Sequence, residues 1–137
     1  MKLMSSKFSE SSASIALFVI RIVAGLNMIL NHGWKKLSSF ESISAKGFAD
    51  PFGIGTTASL SLAIFAEVGC SALLILGLFT RLATIPLMVT MFVAIFVAHG
   101  GDFFGEGEMA ALYLAAYFAL FVAGPGKYSL DRKIGKN

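Results

Sequence analysis

Apolar residues in this chain do not alternate with polar ones; they come in four long blocks separated by short polar interruptions. The blocks cover residues 13–33, 58–79, 82–99 and 106–123. A helix needs roughly 20 apolar residues to cross the hydrocarbon core of a bilayer, so each block reads as a membrane span. The third and fourth are short and should run near the membrane normal. Only Thr80 and Arg81 separate the second block from the third, which forces an antiparallel hairpin. Pro86 is expected in the first turn of the third span, where a missing N–H does little harm. Gly124-Pro125-Gly126 should end the fourth span and release a polar tail over residues 124–137. The expected fold class is all-α, an integral membrane four-helix bundle forming one domain over residues 1–137.

The one long interruption, residues 34–57, has its own pattern. Trp34, Leu37, Phe40 and Ile43 recur every third residue among Lys35, Lys36, Ser38, Ser39 and Glu41. Such spacing predicts a short amphipathic helix lying in the membrane interface with Trp34 as its anchor. Gly47, Pro51, Gly53 and Gly55 then predict an irregular return to the second span.

Composition changes the picture only by excluding alternatives. Of 137 residues, 56% are hydrophobic and 14% charged, and the mean hydropathy is +0.78. Soluble domains carry about 25% charge. A soluble chain this short would keep roughly a third of its chain surface in water, so the bilayer has to be the solvent. The net charge of +3 is not a nucleic-acid footprint, because the basic residues cluster at the ends of the apolar blocks. A lone Cys70 excludes an intrachain disulfide or a CxxC pair. The first block is expected to be an uncleaved span rather than a leader, since Arg21 interrupts it and no A-x-A site follows.

Seven Lys and Arg residues lie on the side of the termini (Lys2, Lys7, Arg81, Lys127, Arg132, Lys133 and Lys136). Three lie on the other side (Lys35, Lys36 and Lys46). The excess places both termini in the cytoplasm. The third loop, with Asp102, Glu106 and Glu108, makes the outer face locally acidic.

Arg21 and Glu67 carry charge inside spans, where each costs on the order of 2.5–3.5 kcal/mol on insertion scales. Counting from the span ends puts their backbones within about 5 Å in depth, so an ion pair across the bundle interior is expected. Gly25, Met28 and His32 share the stripe of Arg21; Ala63, Ser71 and Leu74 share that of Glu67. Register-setting alone would also justify such a pair. At the outer mouth His32, His99, Glu106 and Glu108 should form a polar vestibule, and their spacing fits no compact metal motif. Tyr113 and Tyr117, one turn apart, offer hydroxyls to a ligand or to neighbouring helices.

The runs RIVAGLNMILNHGWKKL, AEVGCSALLILGLFTRLA and HGGDFFGEGEMAALYLAAYFALFVAGPGKYSLD, in that order, resemble the DoxX family of small bacterial membrane proteins. The similarity runs from about Ile20 to Asp131; Cys70 stands where a glycine pair is more usual. It implies a four-helix protein of the bacterial inner membrane. It also implies a link to membrane redox work, through thiosulfate:quinone oxidoreductase subunits, or to oxidative and thiol stress.

Combined with the residues, it suggests a subunit binding quinone or a similar lipophilic molecule through Arg21, Glu67 and Tyr113. No motif for flavin, haem or an iron–sulfur cluster is present, so an electron path would need the ligand itself or a redox partner protein. The alternatives are a non-catalytic membrane adaptor that stabilises a partner protein, and a small-solute transporter, which would need self-association to build a gated path. Whether the chain turns anything over does not follow from its residues.

Overall fold

A computed structural model describes residues 2–135; Met1 and the expected tail residues Lys136 and Asn137 lie outside the described residues. The described residues form helices and loops without a strand. Helix α1 runs over Glu10–Ser38, α2 over Phe40–Lys46, α3 over Thr56–Leu76, α4 over Thr80–Ala98, α5 over Glu108–Ala123, and a last turn, α6, over Leu130–Lys133. Helices α1, α3 and α4 are long and apolar enough to cross a membrane, and α5 is a shorter apolar helix. Together they make the four-helix bundle. Their outward faces are covered with exposed Leu, Ile, Val and Phe, as suits a lipid environment.

Three differences from the sequence reading have physical causes. Trp34 and Leu37 do not belong to a separate interfacial helix, because α1 continues through them to Ser38. Nothing in 29–38 breaks a helix, and the chain turns only at Ser39 (φ −112°, ψ 24°) before the short α2. Helix α4 starts two residues before the expected 82, which puts Pro86 in its second turn rather than its first. And the tail is not released after Gly124-Pro125-Gly126. It folds back as a strap over the end of the bundle.

The strap is built from backbone-directed contacts. Helix α3 ends at Gly77 in the left-handed conformation, with Leu78 N–H donating to Leu73 C=O (2.9 Å) and Gly77 N–H to Leu74 C=O (3.1 Å). This is the αL helix stop that glycine permits. Phe79, also left-handed (φ 49°), then opens α4 with no cap of its own. The cap comes from Asp131, far along the chain: its carboxylate accepts from Phe79 N–H (2.8 Å) and Thr80 N–H (2.9 Å). Asp131 N–H donates in turn to Gly77 C=O (2.9 Å). Lys127 N–H donates to the buried Ser14 hydroxyl of α1 (3.1 Å), and Arg132 pairs with Glu10 (3.1 Å). On the other flank Arg81 donates to Val122 C=O at the end of α5 (3.2 Å).

Candidate functional site

Two glycines of α1 set the register between α1 and α3. A Cβ on Gly25 would lie 2.6 Å from the Ile75 side chain, and one on Gly33 would lie 2.6 Å from the Val68 side chain and 3.1 Å from Glu67 Cβ. The helices therefore touch where α1 has no side chain, with Gly33 level with Glu67. Both helices carry a π-helical turn there, at Ile29–Gly33 and Phe65–Cys70, and α4 carries one at Ala94–Ala98. The extra residue in such a turn swings side chains out of the regular helical spacing, an arrangement frequent at functional sites.

The expected Arg21–Glu67 ion pair is not formed. Gly33 and Arg21 are twelve residues apart on α1, so Glu67 lies about 18 Å from the level of Arg21. Matching the span ends misplaced them because α1 extends well past both expected ends, and because close-approach glycines, not helix termini, fix the register. Side-chain direction adds to the divergence. Side chains lean toward their own helix N-terminus, and in antiparallel helices that sends Arg21 and Glu67 opposite ways.

Arg21, fully buried, turns to the strap, where Nη2 donates to Tyr128 C=O (2.6 Å) and the guanidinium lies 5.4 Å from the Phe18 ring centroid. Its Nη1 fills the space that a side chain on Gly77 would occupy. Asp131 acts on it electrostatically as a counter-charge. Arg21 is thus part of the strap and not of a ligand cavity.

Glu67, 1% exposed, pairs instead with Lys36 (Nζ to Oε1, 2.7 Å). In the sequence Lys36 counts toward topology and belongs to the expected interfacial helix, yet it continues the stripe Met28–His32 by one more four-residue step. That stripe was the signal for it. Beside the pair, half-buried His32 meets Tyr113 edge to face (5.7 Å between centroids), and Tyr113 stacks on Tyr117 (5.9 Å). Tyr117 is fully buried, with Ser71 and Glu67 as its polar neighbours.

Of these residues, His32, Lys36, Glu67 and Tyr113 border a cavity of about 980 Å³ between α1, α3, α4 and α5. His32, Lys36, Glu67 and Tyr113 make one polar flank, while Ala63, Ala66, Met91 and Ala110 make apolar walls. Leu62 and Phe65 of α3 and Ile85 and Val89 of α4 also line it although each is lipid-exposed, so the cavity opens sideways toward the bilayer.

His99 and Glu106 sit at the rim, 3.8 Å apart, and both line the cavity. Glu108 does not; it is an exposed residue in the first turn of α5. Asp102 accepts from Glu106 N–H (3.1 Å) and shapes the turn before α5. The irregular return after α2 covers the cavity with Phe48, Pro51 and Phe52. It is pinned by Asp50, which accepts from Ile54 N–H, Gly55 N–H and the Ser59 hydroxyl, each at 2.9 Å. The Ser59 bond foremost, and then the Gly55 N–H, hold the Asp50 carboxyl below its ordinary pKa. No group of three or more His, Cys, Asp or Glu able to hold a metal occurs among the described residues.

The family model for DoxX matches residues 16–100, which include α1 from residue 16 onward, all of α2, α3 and α4, and with them the cavity's Lys36–Glu67 pair. The chain belongs to the DoxX family. Among curated proteins, this DoxX chain is 32% identical to an uncharacterized membrane protein of Mycobacterium tuberculosis, over 85% of its own length and 80% of the relative's. It is 36% identical to an uncharacterized protein of Haemophilus influenzae, over 85% of its own length and 89% of that relative's. No solved structure matches it significantly.

Proposed function

We propose that this DoxX protein is a subunit of the bacterial inner membrane that holds a quinone or similar lipophilic molecule in the cavity between α1, α3, α4 and α5, in support of membrane redox or oxidative and thiol-stress metabolism. The observation that carries the reading is the amphiphilic form of the cavity: apolar walls opening toward lipid, and a buried carboxylate, an amine, an imidazole and a phenol on one flank. Its volume of about 980 Å³ is at the upper end of small-molecule sites.

The residues fit such a ligand. Tyr113 and His32 offer hydrogen bonds to a ring oxygen, Lys36 supplies positive charge near it, and Glu67 can hold or release a proton where water is scarce. The aliphatic walls and the Leu62–Ile85 side would take an isoprenoid-like chain. When bound, a quinone carries two electrons and two protons; the electrons would come from a partner protein, since the chain has no motif for another redox group. Arg21 is given no part in ligand binding, because it lies about 18 Å away in depth.

The test is native mass spectrometry of the protein extracted gently from its own membrane, with identification of whatever co-elutes. A stoichiometric quinone, lost in Tyr113→Phe or Glu67→Gln protein that still folds, supports the reading. Ordinary lipids only, or a partner protein with no small molecule, makes a non-catalytic adaptor the better account.

A further inference from the structure

Asn27 and Asn31 are the only carboxamide side chains in the sequence apart from Asn137. Both are exposed, on the side of α1 opposite its buried stripe of Arg21, Gly25 and Met28. Gly33 is level with Glu67, near the middle of α3, so Asn27 lies about 9 Å and Asn31 about 3 Å from that level along the axis. Both depths fall within the roughly 15 Å half-thickness of a hydrocarbon core.

Two amides in this position are only partly satisfied by their own helix. Asn27 Nδ2 donates to Val23 C=O (2.9 Å), and Asn31 Nδ2 donates to Asn27 Oδ1 (3.1 Å). Each amide has a second N–H, and Asn31 has its carbonyl oxygen, with no hydrogen bond among the described residues. Hydroxyls elsewhere on the spans behave differently. Ser61 and Thr90 turn onto the carbonyls of Thr57 and Pro86 and leave no donor over. Lipid tails cannot take the spare amide groups; another helix can.

We propose that the outward face of α1 is a docking surface for a second copy of this chain. The chemistry selects a copy over another occupant. In a parallel two-fold pair of helices the residues at the crossing face their own counterparts. A carboxamide is both donor and acceptor and can pair with its counterpart; a carboxylate or an ammonium cannot. The rest of the face, Val19, Val23, Leu26 and Leu30, is exposed and uncharged, so nothing on it repels its counterpart. Two copies inserted with the same orientation then pack α1 against α1, with Asn27 and Asn31 bonding across the contact. The cavity of each copy, on the other side of α1, stays open to lipid, so the dimer does not depend on what the cavity binds.

Cysteine crosslinking in native membranes tests this, because the single native cysteine, Cys70, is buried and can be replaced by serine. Val23→Cys and Leu30→Cys variants are expected to give a band at twice the monomer mass under mild oxidation. Leu112→Cys, on the outer face of α5, is expected to give none. In full-length protein reconstituted in lipid, Asn27→Leu with Asn31→Leu should weaken self-association by about tenfold. Thermal unfolding is followed alongside to show that the monomer stays folded. Equal crosslinking at Val23 and Leu112, a crosslink only to a protein of different mass, or unchanged association of the folded double variant would overturn the proposal. Should the double variant fail to fold, the three single-cysteine variants decide the matter by themselves.

Discussion

The two ends of the bundle use buried charge in opposite ways. At the end where the termini lie, Arg21 and Asp131 are answered by backbone: a carbonyl of the strap for one, the N–H groups opening α4 for the other. At the opposite end Glu67 is answered by a side chain, Lys36, and the pair borders a cavity. Backbone partners are fixed in place, so charge bound to them serves shape. A lysine on a flexible stem can move, and its carboxylate partner can be offered to something else. The first end is therefore a clasp, and the second is where chemistry has room.

The largest effect that would break this contrast is expected from Arg21→Ala. It empties the space beneath the strap and leaves Tyr128 C=O without its donor. We expect about 3–5 kcal/mol of lost stability and little folded protein. Glu67→Gln is its counterpart. The amide keeps the shape and one acceptor, and Lys36, with 24% of its side chain exposed, can turn toward water. The expected cost is about 1–2 kcal/mol. Denaturant titration of both variants in one detergent checks the order; a Glu67→Gln protein less stable than Arg21→Ala would make both ends structural.

Asp131→Ala should fall between them in meaning and near the second in size. It strips the acceptor from Phe79 and Thr80 N–H, a cap worth about 1–2 kcal/mol. With the carboxylate lost and only single bonds left, to Arg21, Ser11, Ser14, Glu10 and the Gly77 carbonyl, the tail should become more sensitive to protease while cavity binding is kept. Limited proteolysis together with ligand retention reads both. Loss of the ligand without loss of the tail would show that the two ends are coupled, against the separation drawn above.

Much of the architecture was legible because lipid imposes a simple rule: long apolar blocks become helices. What the pattern could not supply was register. Gly25 stands out in the sequence only as part of the Arg21 stripe, and nothing in a hydropathy pattern says that Gly33 faces Glu67, a contact that decides which cation Glu67 meets. Arg21 and Glu67 were visible as expensive charges; their opposite lean follows from helix polarity and could have been used. The strap was invisible for another reason. Its contacts are to backbone N–H and C=O groups, which every residue carries, so Ser129-Leu130-Asp131 reads as polar tail until the turn at Gly77–Phe79 is seen beneath it. Tyr117 was noted only as the neighbour of Tyr113, and its burial beside Ser71 and Glu67 depends on a π-helical turn with no sequence signature.

The smallest expected effect concerns the cover of the cavity and sharpens the contrast from its open side. Asp50 is exposed and pins the return to α3 through the Ser59 hydroxyl and the Ile54 and Gly55 N–H groups. These bonds hold its pKa below the ordinary value of 3.8. The folded carboxyl thus stays ionised at acidities where the unfolded one takes up a proton. Its contribution is present in full above 3.8 and is lost as pH falls through the depressed value. Hydrogen exchange at Ile54 and Gly55, corrected for its intrinsic pH dependence, should be flat from neutral pH down to about 4 and rise below it. Asp50→Asn should show the raised exchange at every pH. Since Phe48, Pro51 and Phe52 of the same segment cover the cavity, that variant should also release a bound lipophile faster with no change in the strap's resistance to protease. A strap that loosened together with this loop would mean that the bundle transmits motion from one end to the other, and the clasp could no longer be called passive.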